Sequence, residues 1–129
     1  MGQQQLLLIL LGVILVGAAI VLALSLMSAQ SIQANKDAMI NDLNHVAAHA
    51  YQYRISSSSL AGGAGKYTGY HIPTWLASNA NGSYLCSVSP DEVTLTAISA
   101  NNSNDVIVAK IDSRGLFIAN GWTFLGDFQ

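Results

Sequence analysis

Two histidines, His45 and His49, stand four residues apart in a stretch whose apolar residues follow a helical spacing. Side chains at i and i+4 lie on one face of a helix, and two imidazoles placed in this way are a frequent part of a zinc site. The metalloprotease motif has Glu directly after the first histidine, where this chain has Val46, and the third histidine, His71, lies in a distant segment. The sequence therefore predicts ordinary, partly exposed histidines, with no metal ligand and no cofactor.

Three further groups have residue types that do chemistry, but their spacing fits no reaction. The glycine-rich segment 62–69 lacks the first glycine of a phosphate-binding loop, and its Lys66 is not followed by Ser or Thr. Asp91 and Glu92 are adjacent in a predicted turn, and strand alternation would direct them apart. Cys86 lies in an apolar strand pattern, which favours a core position over a nucleophile. No combination of these residues indicates an enzyme.

Composition limits the kinds of partner. The 129 residues carry a net charge of −2, and the five basic residues are scattered, so no basic stripe for a nucleic acid exists. The single cysteine cannot form an internal disulfide. A domain of about 100 residues buries only a modest core, which makes self-assembly a candidate source of added stability.

The amino-terminal part of the chain contains an apolar span, Leu6 to Met27, which is interrupted only by Gly12, Gly17 and Ser25. At 1.5 Å per residue, a helix of this length measures about 33 Å and can cross a bilayer. A signal peptide would need a basic start and a shorter apolar region, and myristoylation would need Ser or Thr in place of Leu6. The missing orienting charges indicate that a basic leader has already been removed.

One helix is predicted from Leu6 to about Ile55, since no proline occurs before Pro73. In its second half, apolar residues recur mainly at steps of three and four, as in an amphipathic helix with one side on a core: Ile32, Met39, Leu43, Val46, Ala50 and Tyr53. The serine and glycine cluster 56–69 ends this helix and opens an exposed loop. Most of the tyrosines and tryptophans are expected to pack beneath that loop.

After Pro73 the periodicity becomes strand-like in four segments, at 83–89, 92–99, 105–111 and 116–124. Their connections of two to five residues favour antiparallel neighbours, so a meander of three or four strands should cover one side of the helix. In the second segment, apolar and polar residues alternate, which is typical of an outer strand. The third segment is a continuous apolar run, which is typical of a more central strand. The Asn120-Gly121 pair leaves open a final hairpin within the fourth segment.

The predicted fold class is therefore α+β, with one long amino-terminal helix packed on a carboxy-terminal antiparallel sheet. The chain divides into an apolar helix, its amphipathic continuation, a Gly/Ser-rich loop, and the sheet with a carboxy-terminal tail, at residues 1–27, 28–55, 56–82 and 83–129.

This uncharged apolar start, long helix, glycine-rich loop and antiparallel sheet resemble bacterial type IV pilins and the pseudopilins of type II secretion. The resemblance implies that a prepilin peptidase has cut a basic leader and that Met1 is the N-methylated first residue. Gln5 stands where the family has Glu, so it offers a hydrogen-bond acceptor to a neighbour's ammonium but no charge. Leu22 replaces a frequent proline, and the single Cys86 excludes the family's carboxy-terminal disulfide loop.

By the same resemblance, the chain is expected to be the structural subunit of an extracellular helical filament. Its partners would be further copies of itself, the inner membrane before assembly, and machinery that includes an assembly ATPase. Head-to-tail contacts that never close would generate the filament. The residues expected in these contacts are Met1, Gln5, Leu6, Leu10, Gly12, Val13, Gly17, Ile20 and Leu24.

Two other interpretations stay open: a secretion pseudopilin, and a monomeric single-span protein with an extracytoplasmic ligand-binding domain. Asn81 and Asn101 each begin an Asn-X-Ser pattern and are candidate glycosylation sites in predicted loops.

Overall fold

The computed structural model describes residues 2–129, so the predictions made for Met1 lie outside the described residues. The first element, α1, is a helix of 54 residues from Gly2 to Ile55. No proline interrupts it, and its two interior glycines are tolerated at about 1 kcal/mol each. By contacts, the chain divides into two compact units with the boundary after Gln33.

The second unit, residues 34–129, contains the rest of α1, a short helix α2 (Thr74–Ala77) and one four-stranded sheet. All neighbouring strands are antiparallel and follow the chain order β1-β2-β3-β4. The strands are β1 Gly82–Val88, β2 Val93–Ser99, β3 Val106–Ile111 and β4 Thr123–Leu125. This arrangement confirms the predicted α+β fold, with four strands rather than three.

The core of this unit lies between the helix and the inner face of the sheet. Alternate residues of the central strands are fully buried, as the period of two in a strand requires: Val93, Leu95, Ala97, Ile107, Ala109 and Ile111. The helix contributes buried side chains at steps of three and four: Met39, Leu43, Val46, Ala47 and Ala50. The amphipathic pattern read from the sequence therefore marks the buried side of the helix correctly.

Two strand predictions are wrong. Segment 116–124 is not one strand, because Phe117 forms an isolated bridge to Ile111, residues 119–121 make a 3₁₀ turn, and β4 starts only at Thr123. Strand β2 is not an outer strand, since it pairs with β1 on one side and β3 on the other. Because one face of this antiparallel sheet is exposed, apolar and polar residues can alternate along β2 even though it is a central strand.

The loop between α1 and the sheet folds closely against the end of the helix. The amide of Gly63 donates to the carbonyl of Tyr53 at 2.7 Å, and the amide of Gly65 donates to that of Arg54 at 2.7 Å. These bonds satisfy carbonyls that a helix end leaves without intrahelical partners. Tyr67, which belongs to this loop, is buried, and its hydroxyl donates to the carbonyl of Asp112 at 2.6 Å.

Candidate functional site

In the first unit, residues 2–33, the helix surface between Leu6 and Met27 is apolar all round apart from the hydroxyl of Ser25. Every large apolar side chain between Leu6 and Met27 is 53 to 68% exposed. The hydroxyl of Ser25 donates to the carbonyl of Val21 at 3.0 Å, so this polar group has a partner within the helix. By length and composition, α1 is sufficient to cross a membrane, and none of its most apolar window is buried. A helix that is apolar all round requires an apolar environment.

Six of the residues predicted to act in assembly form one stripe on this surface. Their spacing alternates between four and three residues, the pattern of a helix–helix seam: Leu6, Leu10, Val13, Gly17, Ile20 and Leu24. Gln5 and Gly12 are seven residues apart and share a neighbouring face. A Cβ added at Gly12 or Gly17 would meet nothing within 4 Å, so the fold of one chain does not explain either glycine.

A polar junction in the second unit joins the helix to the start of the sheet, and we define it as Asp42, Asn79, Asn81 and Tyr84. Oδ2 of Asp42 accepts hydrogen bonds from Nδ2 of Asn79 at 2.8 Å, from Nδ2 of Asn81 at 3.0 Å and from the hydroxyl of Tyr84. Oδ1 of Asn79 also accepts from the amides of Asn81 and Gly82 at 2.8 and 3.2 Å. The junction therefore fixes the turn that begins β1.

Opposing effects set the protonation of this junction. Partial burial acts to raise the pKa of Asp42, but hydrogen bonds from Tyr84, Asn81 and Asn79 and the nearby His45 outweigh it and lower that pKa below 3.8. Burial and the Asp42 carboxylate raise the pKa of Tyr84 well above its ordinary value of 10. At neutral pH the site thus consists of an ionised carboxylate and a neutral phenol that donates to it.

The histidines identified from the sequence do not meet at one point. His45 is exposed, while the half-buried His49 has its Nδ1 3.0 Å from the hydroxyl of Tyr70. His71 is exposed. Residues 2–129 contain no group of three or more His, Cys, Asp or Glu side chains that could hold a metal ion.

The adjacent acidic residues point to different cations, as strand alternation predicts. Asp91 lies 3.7 Å from Arg54 and Glu92 lies 3.7 Å from Lys110, both measured between charged atoms. Cys86 is half-buried, and burial raises the pKa of its thiol. A thiol held protonated in this way is a poor nucleophile.

The two candidate glycosylation residues have different environments. Nδ2 of Asn81, the atom that would carry a sugar, is committed to Asp42 in the polar junction. Asn101 is exposed, and its backbone amide donates to the hydroxyl of Ser99 at 3.1 Å. Once the chain has folded, the side chain of Asn101 is the more accessible of the two.

Sequence reasoning missed the polar junction, since Asp42 is one polar residue among many on the helix. A signal for its loop side is the segment Asn79-Ala80-Asn81-Gly82, in which two asparagines precede a glycine at the start of a strand. Asparagine in that position hydrogen-bonds to backbone amides two or three residues ahead and forms a turn. Asp42, the partner of this segment on the helix, cannot be identified from the spacing of residues in the sequence.

The fold and this exposed surface define the chain as an α+β protein with an amino-terminal helix compatible with membrane insertion. No protein-family model, no curated protein and no solved structure matches the chain.

Proposed function

We propose that this protein is the structural subunit of a pilin-like helical filament, held in the inner membrane before assembly and exposed at the cell surface afterwards. The observation that carries the proposal is the uncharged helix surface between Leu6 and Met27, whose large apolar side chains are all exposed in a single chain. Lipid can cover this surface before assembly, and identical helices from other subunits cover it in the filament. The second unit supplies a folded, water-facing domain.

The stripe defined above supports close packing between copies. Lipid is as apolar as leucine, so moving the helix from lipid to protein gains little from the hydrophobic effect and depends on shape and on interhelical polar contacts. Gly17 lies within the stripe and allows a neighbouring helix to approach its backbone. Gln5 lies beside the stripe and offers an amide oxygen to a neighbour's ammonium group.

Electron microscopy of sheared surface material, from cells that carry a pilus assembly system, tests the proposal. We expect filaments made of this chain, about 50 to 100 Å wide if two helices and their surrounding domains set the diameter. A chain that stays monomeric in the membrane under every growth condition would contradict the filament and favour a single-span anchor.

Substitutions in the span separate a packing surface from a simple anchor. Gly17→Ala and Gly17→Leu keep the segment apolar and improve its helix propensity by roughly 1 kcal/mol, so membrane levels should not fall. Filament yield should decrease in that order, because each side chain holds a neighbouring helix further away. Leu15→Ile, an isomeric change away from the stripe, is the matched control and should preserve the yield.

Gln5 provides a second, independent test. Gln5→Leu removes the amide and should lower filament yield, whereas Gln5→Glu keeps an acceptor and adds a charge, so assembly should persist. Normal yield with Gln5→Leu would show that this amide has no role in assembly.

A further inference from the structure

The charged side chains of the second unit are segregated between the two ends of its part of α1. The end near Lys36, which we call the acidic end, has one cation and four carboxylates: Lys36 with Asp37, Asp42, Asp105 and Asp127. The end near Arg54, which we call the basic end, has four cations and three carboxylates: Arg54, Lys66, Lys110 and Arg114 with Asp91, Glu92 and Asp112. The two ends therefore carry net charges of opposite sign.

Asp127 lies at the acidic end because the backbone around it is attached there. The amide of Asp127 donates to Oδ1 of Asp105 at 2.8 Å. The carbonyl of the next residue, Phe128, accepts a hydrogen bond from Nζ of Lys36 at 3.2 Å. These two bonds hold the carboxy-terminal segment against the start of the helix in this unit.

The carboxylate of Asp127 differs from the others at the acidic end. Asp42 accepts three hydrogen bonds in the polar junction, Asp105 is buried, and Asp37 has an interaction within its own chain. Asp127 is exposed, and its carboxylate makes no hydrogen bond or ion pair within residues 2–129. It is therefore an unpaired, accessible negative charge.

Lys66 lies at the basic end, in the loop that folds against the end of α1. The amide of Gly65 donates to the carbonyl of Arg54 at 2.7 Å, and the amide of Tyr67 donates to that of Pro90 at 2.9 Å. Lys66 is exposed, and no carboxylate in the described part of the chain pairs with it. Each of the other cations at this end has a partner: Arg54 with Asp91, Lys110 with Glu92 and Arg114 with Asp112.

One chain cannot join these two unpaired charges. Lys36, next to the segment of Asp127, and Arg54, next to the loop of Lys66, are 18 positions apart on one helix. At 1.5 Å per residue this is about 27 Å, far beyond the roughly 4 Å of an ion pair. Two copies placed head to tail can join them, and such a contact repeats without closing.

We propose that Lys66 of one copy forms an ion pair with Asp127 of the next copy in the filament, and that this pair fixes the register of neighbouring folded domains. The inference rests on the filament proposed above but concerns a different surface, because both residues belong to the second unit. An exposed ion pair adds little affinity by itself. Complementary charges act mainly by excluding arrangements in which like charges meet.

Treatment of intact sheared filaments with a water-soluble carbodiimide, followed by peptide mass spectrometry, tests the pair directly. This reagent activates a carboxylate, and a lysine amine in contact with it then forms an amide while the reagent leaves as a urea. We expect a linked peptide that joins Lys66 to Asp127 in filaments and not in the monomer in detergent. Lys110 and Glu92, 3.7 Å apart in one chain, should be linked in both samples and serve as the internal control.

Charge variants test whether the pair matters for assembly. Lys66→Glu should lower filament yield roughly threefold, because two carboxylates then meet. Adding Asp127→Lys to Lys66→Glu exchanges the two charges and should restore the yield. Lys66→Arg is the matched control: it keeps the cation, so the yield should persist, but a guanidinium is not linked by the reagent.

The proposal is overturned if parent filaments give no peptide that joins Lys66 to Asp127, or if the same peptide forms in the detergent monomer. Failure of the charge exchange to recover the yield lost in Lys66→Glu would also overturn it. These outcomes leave the filament itself intact and are thereby distinct from failure of the assembly proposal, in which the parent chain forms no filaments and the pair is rejected with it.

Discussion

Replacing the carboxylate of the polar junction by an amide should destabilise the folded second unit. Asp42→Asn keeps the size of the side chain but removes the charge that accepts hydrogen bonds from Asn79, Asn81 and Tyr84. A hydrogen bond to a charged group contributes about 1.5–3 kcal/mol and a neutral one about 0.5–1.5 kcal/mol. The three bonds share one oxygen and are not additive, so we expect a loss of about 1–2 kcal/mol in the free energy of unfolding.

Urea unfolding of the full chain in detergent, followed by tryptophan fluorescence, measures this loss. Asp91→Asn makes the same chemical change at a side chain that is 77% exposed and 3.7 Å from Arg54, so it should cost less than about 0.5 kcal/mol. Asp91→Asn is therefore the matched control, because it removes a carboxylate charge outside the polar junction.

The dependence on pH gives a stricter test of the reasoning. The pKa of Asp42 is lowered in the folded state, so the carboxylate stabilises the fold above the unfolded value near 3.8. That stability is lost as pH falls through the folded-state pKa. At low pH, the free energies of unfolding of Asp42→Asn and the parent should therefore differ less. The interpretation is refuted if Asp42→Asn lowers the free energy of unfolding no more than Asp91→Asn does. It is also refuted if the loss caused by Asp42→Asn is the same at about pH 2 as at about pH 7.

Three further outcomes follow from backbone geometry and accessibility. Ala64→Gly should raise the free energy of unfolding by about 0.5 kcal/mol in the same urea assay, since glycine adopts its φ of 50° without strain; a loss would contradict this. Gly126→Ala should lower it by about 2–3 kcal/mol, because φ is 67° and a Cβ would collide with Oδ1 of Asp105; an unchanged midpoint would contradict that. In a host that glycosylates Asn-X-Ser after folding, peptide mass spectrometry should find sugar at Asn101 and none at Asn81, and the reverse pattern would exclude accessibility as the cause.

The helix and the first three strands could be predicted because their signals are local. Serine and glycine after Ile55 end the helix where the sequence predicts, and β1, β2 and β3 each begin within one residue of the predicted start. A period of 3.6 residues in a helix and of 2 residues in a strand indicates which side of the element is buried, and the core residues lie at those spacings.

The end of the sheet could not be predicted, because aromatic residues there pack on each other instead of alternating between two faces. The ring of Trp122 lies 4.8 Å from that of Phe117 and 5.9 Å from that of Phe124. These contacts accompany the 3₁₀ turn at residues 119–121, which interrupts the apolar run. An apolar run shows that residues are buried but not which partner covers them.

The candidate sites were harder to predict than the fold because their residues are distant in sequence. Asp42 and Tyr84 meet across 42 positions, and His49 meets Trp75 through a loop whose course depends on backbone bonds to the helix end. The sequence predicted that most of the tyrosines and tryptophans pack beneath the loop; Tyr67 and Tyr70 are buried, whereas Trp75 is exposed.

The first charged residue of the chain, Lys36, is committed to the folded second unit. Its Nζ donates to the carbonyl of Phe128 at 3.2 Å and lies 4.3 Å from the centroid of the Phe124 ring. Since residues 2–33 carry no charged side chain, moving that segment from lipid to protein would desolvate no charge. The free energy of such a transfer then depends on packing and on interhelical polar contacts. In the filament proposed above, a change of shape at Gly17 should therefore affect assembly more than a further increase in apolar character.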